Sequence, residues 1–162
     1  MYDLLIIGSG PAGVSAALSA KARGLDFLWF GSRQLSPKIA KAERVMNYPG
    51  LPAVTGPEMR EAFLHQVDSL GISVLEERVN SIYGMGGYYT AVVNDKMYDG
   101  RTVILAPGVS NSREIPGESR LLGKGVSYCA TCDGELYRGK RIAVVCTDPS
   151  LEEEVEFLAG LA

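Results

Sequence analysis

The stretch Tyr128-Cys129-Ala130-Thr131-Cys132-Asp133-Gly134 places two thiols three positions apart, with a carboxyl group beside the second. That spacing permits a small disulfide ring and ready thiol–disulfide exchange. Asp133 can supply or take a proton during exchange. Zinc competes for the same thiols, but it normally takes four ligands. Only Cys146 and the single histidine, His65, remain in the chain, and they make no matching second pair. Inert thiols are the third reading. The spacing favours redox chemistry, and no metal is expected.

A second constellation, Gly8-Ser9-Gly10-Pro11-Ala12-Gly13, reads GxGxxG. Backbone N–H groups at a helix N-terminus bind phosphate, aided by the helix dipole. Gly10 would let the backbone approach a pyrophosphate, and Gly13 would let helix and strand pack closely. Such a pattern carries weight only between a strand and a helix, and the flanks supply both. Leu4–Ile7 is a buried-strand run, and an Ala-rich segment runs to Arg23 with Gly24 as its stop. The acidic residue that would hold a ribose after the second strand is missing. That region reads Phe30-Gly31-Ser32-Arg33, which argues against an ordinary NAD site.

The elements that must position these residues follow from the apolar pattern. Phe27–Phe30 is a second strand. Residues 31–56 read as loop, punctuated by Pro37, Pro49, Gly50, Pro52 and Gly56. Pro57 opens a helix in which Met59, Ala62, Phe63, Val67 and Leu70 recur at helical spacing, ended by Gly71. Strands are expected at Ile72–Leu75, Arg78–Ile82, Tyr88–Val93 and Arg101–Leu105, with Gly84-Met85-Gly86-Gly87 as a hairpin connection. Ile115-Pro116-Gly117-Glu118 reads as a linker. The fold expected is α/β: a Rossmann-like domain over residues 1–113, then a linker and the start of a nucleotide-binding-like unit over residues 114–162.

Composition sets bounds. The 162 residues are 46% apolar and 22% charged, as in a soluble globular chain. A net charge of −3 gives no support to a nucleic-acid partner. No apolar run approaches a membrane span, and Asp3 with the first strand leaves no room for a signal peptide, so the cytoplasm is the expected compartment.

In combination, the N-terminal glycine fingerprint and Cys129-Ala130-Thr131-Cys132-Asp133-Gly134 resemble the low-molecular-weight thioredoxin reductases of bacteria. The resemblance runs along the chain. Asn47-Tyr48-Pro49-Gly50 is similar to the family's Asn-Trp/Tyr-Pro-Gly, and Ile115–Glu118 to its inter-domain crossing. Val103–Gly108 is similar to the family's Ile-Ile-Ala-Thr-Gly strand end, with Pro107 for the threonine. Pro37-Lys38-Ile39 stands where the family often has Gly-Gln-Leu. The resemblance implies a Rossmann-like FAD domain with a parallel sheet and a β-meander, a homodimer, and thioredoxin as electron acceptor. It implies FAD contacts from Gly8 to Gly13 and from Gly31, Ser32, Lys38, Ile39, Asn47, Val79, Ala106 and Gly108. It gives Cys132 as the sulfur facing the flavin, Cys129 as the thiolate that attacks thioredoxin, and Asp133 as the acid–base group. Family members are nearly twice this length, so the chain reads as a fragment that holds FAD poorly by itself.

Residues 141–158, RIAVVCTDPSLEEEVEFL, depart from the family. Ile142–Val145 reads as a strand leading through a turn to a helix, where the family carries glycines for NADPH. Here those glycines fall on Cys146, Thr147 and Asp148, and Leu151 stands for the alanine. Side chains there block backbone approach, and Asp148 with Glu152, Glu153 and Glu154 puts negative charge where a pyrophosphate would sit. NADPH is therefore not expected to bind. The branch this most resembles is the ferredoxin-dependent flavin thioredoxin reductases, with ferredoxin as donor and Lys38, Lys41 and Arg44 as candidate docking charges. An NADPH-dependent reductase with a divergent site, a flavin-dependent dithiol oxidase and a non-catalytic flavin module are the alternatives.

Overall fold

Leu4, Leu5 and Ile6 cannot face water on either side, and the chain buries all three to 5% exposure or less. They lie in β1 (Tyr2–Ile7), which pairs in parallel with β2 (Phe27–Phe30) on one side and β5 (Lys96–Leu105) on the other. A computed structural model describes residues 1–108, 115–146 and 148–162. The chain divides into two units, one of Met1–Ala40 and Pro57–Ser112, the other of Lys41–Gly56 and Arg113–Ala162.

The first unit is α/β and Rossmann-like. α1 (Pro11–Ala22) connects β1 to β2, so the two strands run parallel through a helical crossover. α2 (Pro37–Ala40) is one helical turn within the stretch read as loop. α3 (Gly56–Ser69) buries Met59, Phe63 and Val67, spaced four apart, while Leu70 lies beyond the helix and is exposed. β3 (Ser81–Gly84), β4 (Tyr89–Val93) and the first half of β5 form an antiparallel meander. The sheet order is β2-β1-β5-β4-β3. Alternation along the strands puts Leu5 and Phe30 on one face, where they pack with Ala91 and Val93.

Three strand boundaries differ from the sequence pattern, each for a local reason. β5 is twice the expected length, because its start pairs with β4 and its end with β1. Gly100 sits at the crossing of the two ladders; a Cβ there would lie 2.5 Å from Leu5 Cγ. Ile72–Leu75 contributes a single bridging residue. Leu75 N–H donates to Trp29 O at 2.7 Å and its carbonyl accepts from Gly31 N–H, but Glu77 N–H then turns back onto Leu75 O. β3 begins at Ser81 rather than Arg78, and Val79 packs against the core without laddering. The hairpin connection is as read: Met85 N–H donates to Tyr88 O, and Gly84 pairs with Tyr89.

The second unit is built from short pieces. Val45 and Val54 form a bridge, as do Leu122 and Val126. α4 (Glu118–Leu121) follows the Ile115–Gly117 segment, and its buried Glu118 accepts the Ile115 N–H. α5 (Ala130–Asp133) runs into a 3-10 turn at Gly134–Tyr137, and a second 3-10 turn, Pro149–Leu151, leads into α6 (Glu152–Leu161). α6 packs on the turn after α5: a Cβ on Gly134 would meet Leu161 Cδ1 at 2.9 Å, with Leu158 and Phe157 behind it. The strand expected at Ile142–Val145 does not form. The segment has no ladder partner among the described residues, and Val144 and Val145 are exposed. A strand requires a neighbour to take its N–H and C=O groups. Among the described residues, no helix is long and apolar enough to cross a membrane.

Candidate functional site

The glycine turn between β1 and α1 is fixed by packing at two of its three glycines. Gly8 has φ +112°, and a Cβ there would lie 1.9 Å from Ala106 O. A Cβ on Gly13 would lie 1.9 Å from Gly8 O. Trp29 Nε1–H donates to that same Gly8 carbonyl at 2.8 Å, and Gly8 N–H donates to Phe30 O at 2.9 Å. Gly10 is different. It caps α1, and a Cβ built on it meets nothing within 4 Å. The fold does not require glycine at that position, whereas close approach of a ligand to the backbone would. Pro11 fills the first helical position, where an N–H has no intrahelical partner, and no side chain caps the helix start.

Ser9 and Gly31 belong to the same corner. A Cβ on Gly31 would strike Ser9 Cβ at 2.5 Å. Ser9 Oγ accepts from Ser32 N–H at 2.8 Å and donates to Leu35 O at 3.1 Å, so this buried hydroxyl ties the glycine turn to the end of β2. Arg33 beyond it is clamped by Asp68, whose two carboxylate oxygens both accept from Nη2 at 2.8 Å. Ala106 N–H donates to Ile7 O at 2.7 Å, which holds the β5 end against the turn, and Gly108 follows at positive φ. The first unit thus brings Gly8–Gly13, Gly31, Ser32 and Ala106 into one corner. Lys38 and Ile39 lie on α2, with Ile39 N–H on Ser36 Oγ, and Val79 lies in the core. The open Gly10 and the free helix start fit a dinucleotide such as FAD.

Cys129, Cys132, Asp133 and Asn47 fall in the second unit. Cys129 and Cys132 are joined in a disulfide across Cα atoms 5.3 Å apart. Cys129 caps α5, and its Sγ accepts the Cys132 N–H at 3.2 Å. Thr131 Oγ1 lies 3.6 Å from the same sulfur. Asn47 Nδ2 donates to Thr131 O at 3.4 Å, so the Asn-Tyr-Pro-Gly loop touches the redox turn. Ser127 is a residue that the sequence reading missed. Its Oγ donates to Asp133 Oδ2 at 2.5 Å and accepts the Cys129 N–H at 3.1 Å. One hydroxyl therefore links the carboxylate to the backbone of Cys129. A serine two residues before a CxxC was the available signal. Asp133 also bears on Tyr137: burial first, then the nearby carboxylates of Asp133 and Glu43, push the phenol above its ordinary range. His65 is exposed on α3.

The turn at residues 146–151 is of another kind. Cys146 is exposed, with Sγ on Asp148 O at 3.1 Å. Thr147 lies outside the described residues. Asp148 Oδ1 accepts Ser150 N–H at 3.0 Å, and that bond holds the carboxyl below the usual carboxylate range. The helix start carries its own anion, followed by Glu152, Glu153 and Glu154. A shallow pocket beside it is lined by Cys146, Asp148, Pro149, Glu152, Val155 and Glu156.

Comparison with known proteins agrees along the chain. The family model described as pyridine nucleotide-disulphide oxidoreductase matches residues 2–146. A thioredoxin reductase of Ureaplasma parvum is 38% identical over 163 residues, covering all of this chain and 53% of the relative. A solved ferredoxin-flavin thioredoxin reductase of Clostridium acetobutylicum is 46% identical with a TM-score of 0.67, covering 99% of this chain and 56% of that one. A solved thioredoxin reductase of Streptococcus pyogenes is 34% identical with a TM-score of 0.81, covering 99% and 53%. The chain thus spans about half the length of the curated relatives named here.

Proposed function

Given that this chain belongs to the pyridine nucleotide-disulphide oxidoreductase family, we propose that it forms part of a flavin-dependent thioredoxin reductase whose electrons come from reduced ferredoxin rather than NADPH. FAD, when bound, supplies a carrier that exchanges electrons with a dithiol. The corner around Gly8–Gly13, Gly31, Ser32 and Ala106 would hold it, with Lys38, Ile39, Asn47, Val79 and Gly108 as further contacts. Cys129 and Cys132 alternate between disulfide and dithiol, and Cys129 attacks the disulfide of thioredoxin. Asp133, tethered through Ser127, takes and returns the proton. The FAD-binding domain is assigned to residues 1–113 and the redox segment to 114–162, in a protein that acts as a homodimer.

One observation carries the choice of donor. Where a pyrophosphate would need bare backbone N–H groups, Asp148 already accepts the Ser150 N–H and stays ionised. A second anion there meets like charge and competes for a donor, the Ser150 N–H, that Asp148 already holds. NADPH therefore does not fit, and no step is assigned to it. Lys38, Lys41 and Arg44 are the cations assigned to docking an acidic electron carrier.

The test is an anaerobic reduction of the flavin-loaded protein, followed at the oxidised-flavin band near about 450 nm. Bleaching by reduced ferredoxin, with none by excess NADPH, is the expected result. Fast bleaching by NADPH would overturn the donor assignment and favour an ordinary NADPH-dependent reductase. Oxygen uptake with small dithiols, without thioredoxin reduction, would favour a dithiol oxidase.

A further inference from the structure

The disulfide is not symmetric in its surroundings. Two donors converge on Cys129 Sγ: the Cys132 N–H at 3.2 Å and the Thr131 hydroxyl at 3.6 Å. A sulfur in a disulfide carries no hydrogen, so between Thr131 and Cys129 the hydroxyl is the donor. Both of these bonds fall on Cys129 rather than on Cys132. Thr131 is exposed and uninvolved in the core, so its side chain is free of a packing duty. Its backbone is tied down from the other side, where Asn47 Nδ2 reaches Thr131 O.

We propose that Thr131 is a catalytic residue of the dithiol form, whose hydroxyl stabilises the Cys129 thiolate and so selects Cys129 over Cys132 as the attacking sulfur. The argument rests on the disulfide-exchange reading above. A hydrogen bond to the charged form of a group favours that form, and the thiolate is the nucleophile. Both donors belong to residues within three positions of Cys129, so they stay within reach after the S–S bond opens. In the reduced protein, the Cys129 thiolate attacks an external disulfide. A Cys129–substrate S–S bond forms, the substrate S–S bond breaks, and one substrate thiolate leaves to take up a proton. Cys132 then loses its proton and attacks Cys129 Sγ, which closes the internal disulfide and expels the second substrate thiolate. Two electrons pass from the cysteine pair to the substrate. Without Thr131 the backbone N–H remains, so the first step is slowed rather than abolished.

The experiment isolates Cys129. Cys146 is exposed and free and would react with the same reagents, so the full chain is made with Cys146→Ser and Cys132→Ser. The rate of alkylation by iodoacetamide is then followed from about pH 5 to about pH 10, spanning the range of cysteine thiols. Thr131→Val should move the rising limb up by roughly half to one pH unit, so that alkylation at neutral pH is about three- to tenfold slower, with rates converging above the limb. Thr131→Ser, which keeps the hydroxyl, should restore the original limb. Superimposable profiles for the parent and Thr131→Val would overturn the proposal, as would a shift that serine fails to reverse. Exchange with an external disulfide is measured separately on the chain carrying only Cys146→Ser. Failure of that exchange in the parent would count against the proposed function, while the alkylation limb still decides the role of Thr131.

Discussion

Two turns in this chain stand before a helix and read alike at first sight, Gly8–Gly13 and Cys146–Leu151. In the first, β1 is paired on both sides and its turn is locked by a carbonyl that Trp29 and Gly13 crowd together. In the second, the preceding apolar run has no ladder partner among the described residues and leaves Val144 and Val145 exposed, and Asp148 caps its own helix start. The difference teaches what a phosphate-binding turn consists of. Glycines at its edges serve the fold, and a bare backbone in its middle serves the ligand. The second turn has filled that middle with side chains and charge.

Substitution can break this comparison at its strongest point. Gly8→Ala forces a Cβ into the Ala106 carbonyl at a positive φ, and should cost about 3 kcal/mol or more, enough to unfold the first unit in a chemical denaturation series. Gly10→Ala sharpens it: the chain should keep its stability to within about 1 kcal/mol, yet bind FAD at least about tenfold more weakly in a flavin-fluorescence titration. Equal loss of stability at both positions would remove the distinction between packing and ligand glycines. Cys146→Gly in the second turn should move the unfolding midpoint by no more than the equivalent of about 0.5 kcal/mol, since the side chain it removes is exposed.

The smallest effect is a pH dependence. Asp148 is held below its ordinary value by the Ser150 N–H, so the cap is fully present above the unfolded pKa and is lost as pH falls through the lower folded one. Asp148→Asn keeps a capping oxygen and has no carboxyl to titrate. Amide shifts of Ser150 and Leu151 should move in acid for the parent and stay level for Asp148→Asn. Acid-induced shifts that persist in Asp148→Asn would place the titration elsewhere.

Much of the first unit was legible in the sequence because its signals are local. The apolar runs of β1 and β2, the spacing of Met59, Phe63 and Val67, and the glycines around Met85 each state their structure within a few residues. What was not legible depends on partners distant in the chain. The full length of β5 requires two different neighbours, and Gly100 reveals that only once Leu5 is placed against it. Ile142–Val145 has the composition of a strand, but no ladder partner among the described residues. The redox pair was plain from spacing. The hydroxyls around it were not, because Ser127 and Thr131 look like ordinary turn residues until their oxygens are located. Gly134 looked like part of the redox signature, and the structure uses it to seat α6.

The chain contains a single tryptophan, and it is the one whose indole N–H holds the Gly8 carbonyl. Trp29 is 1% exposed. The intrinsic tryptophan emission of this 162-residue chain is therefore a label for one place only. Any change in its wavelength or intensity reports on the glycine turn, and energy transfer from it to a chromophore would be a distance measured from that turn.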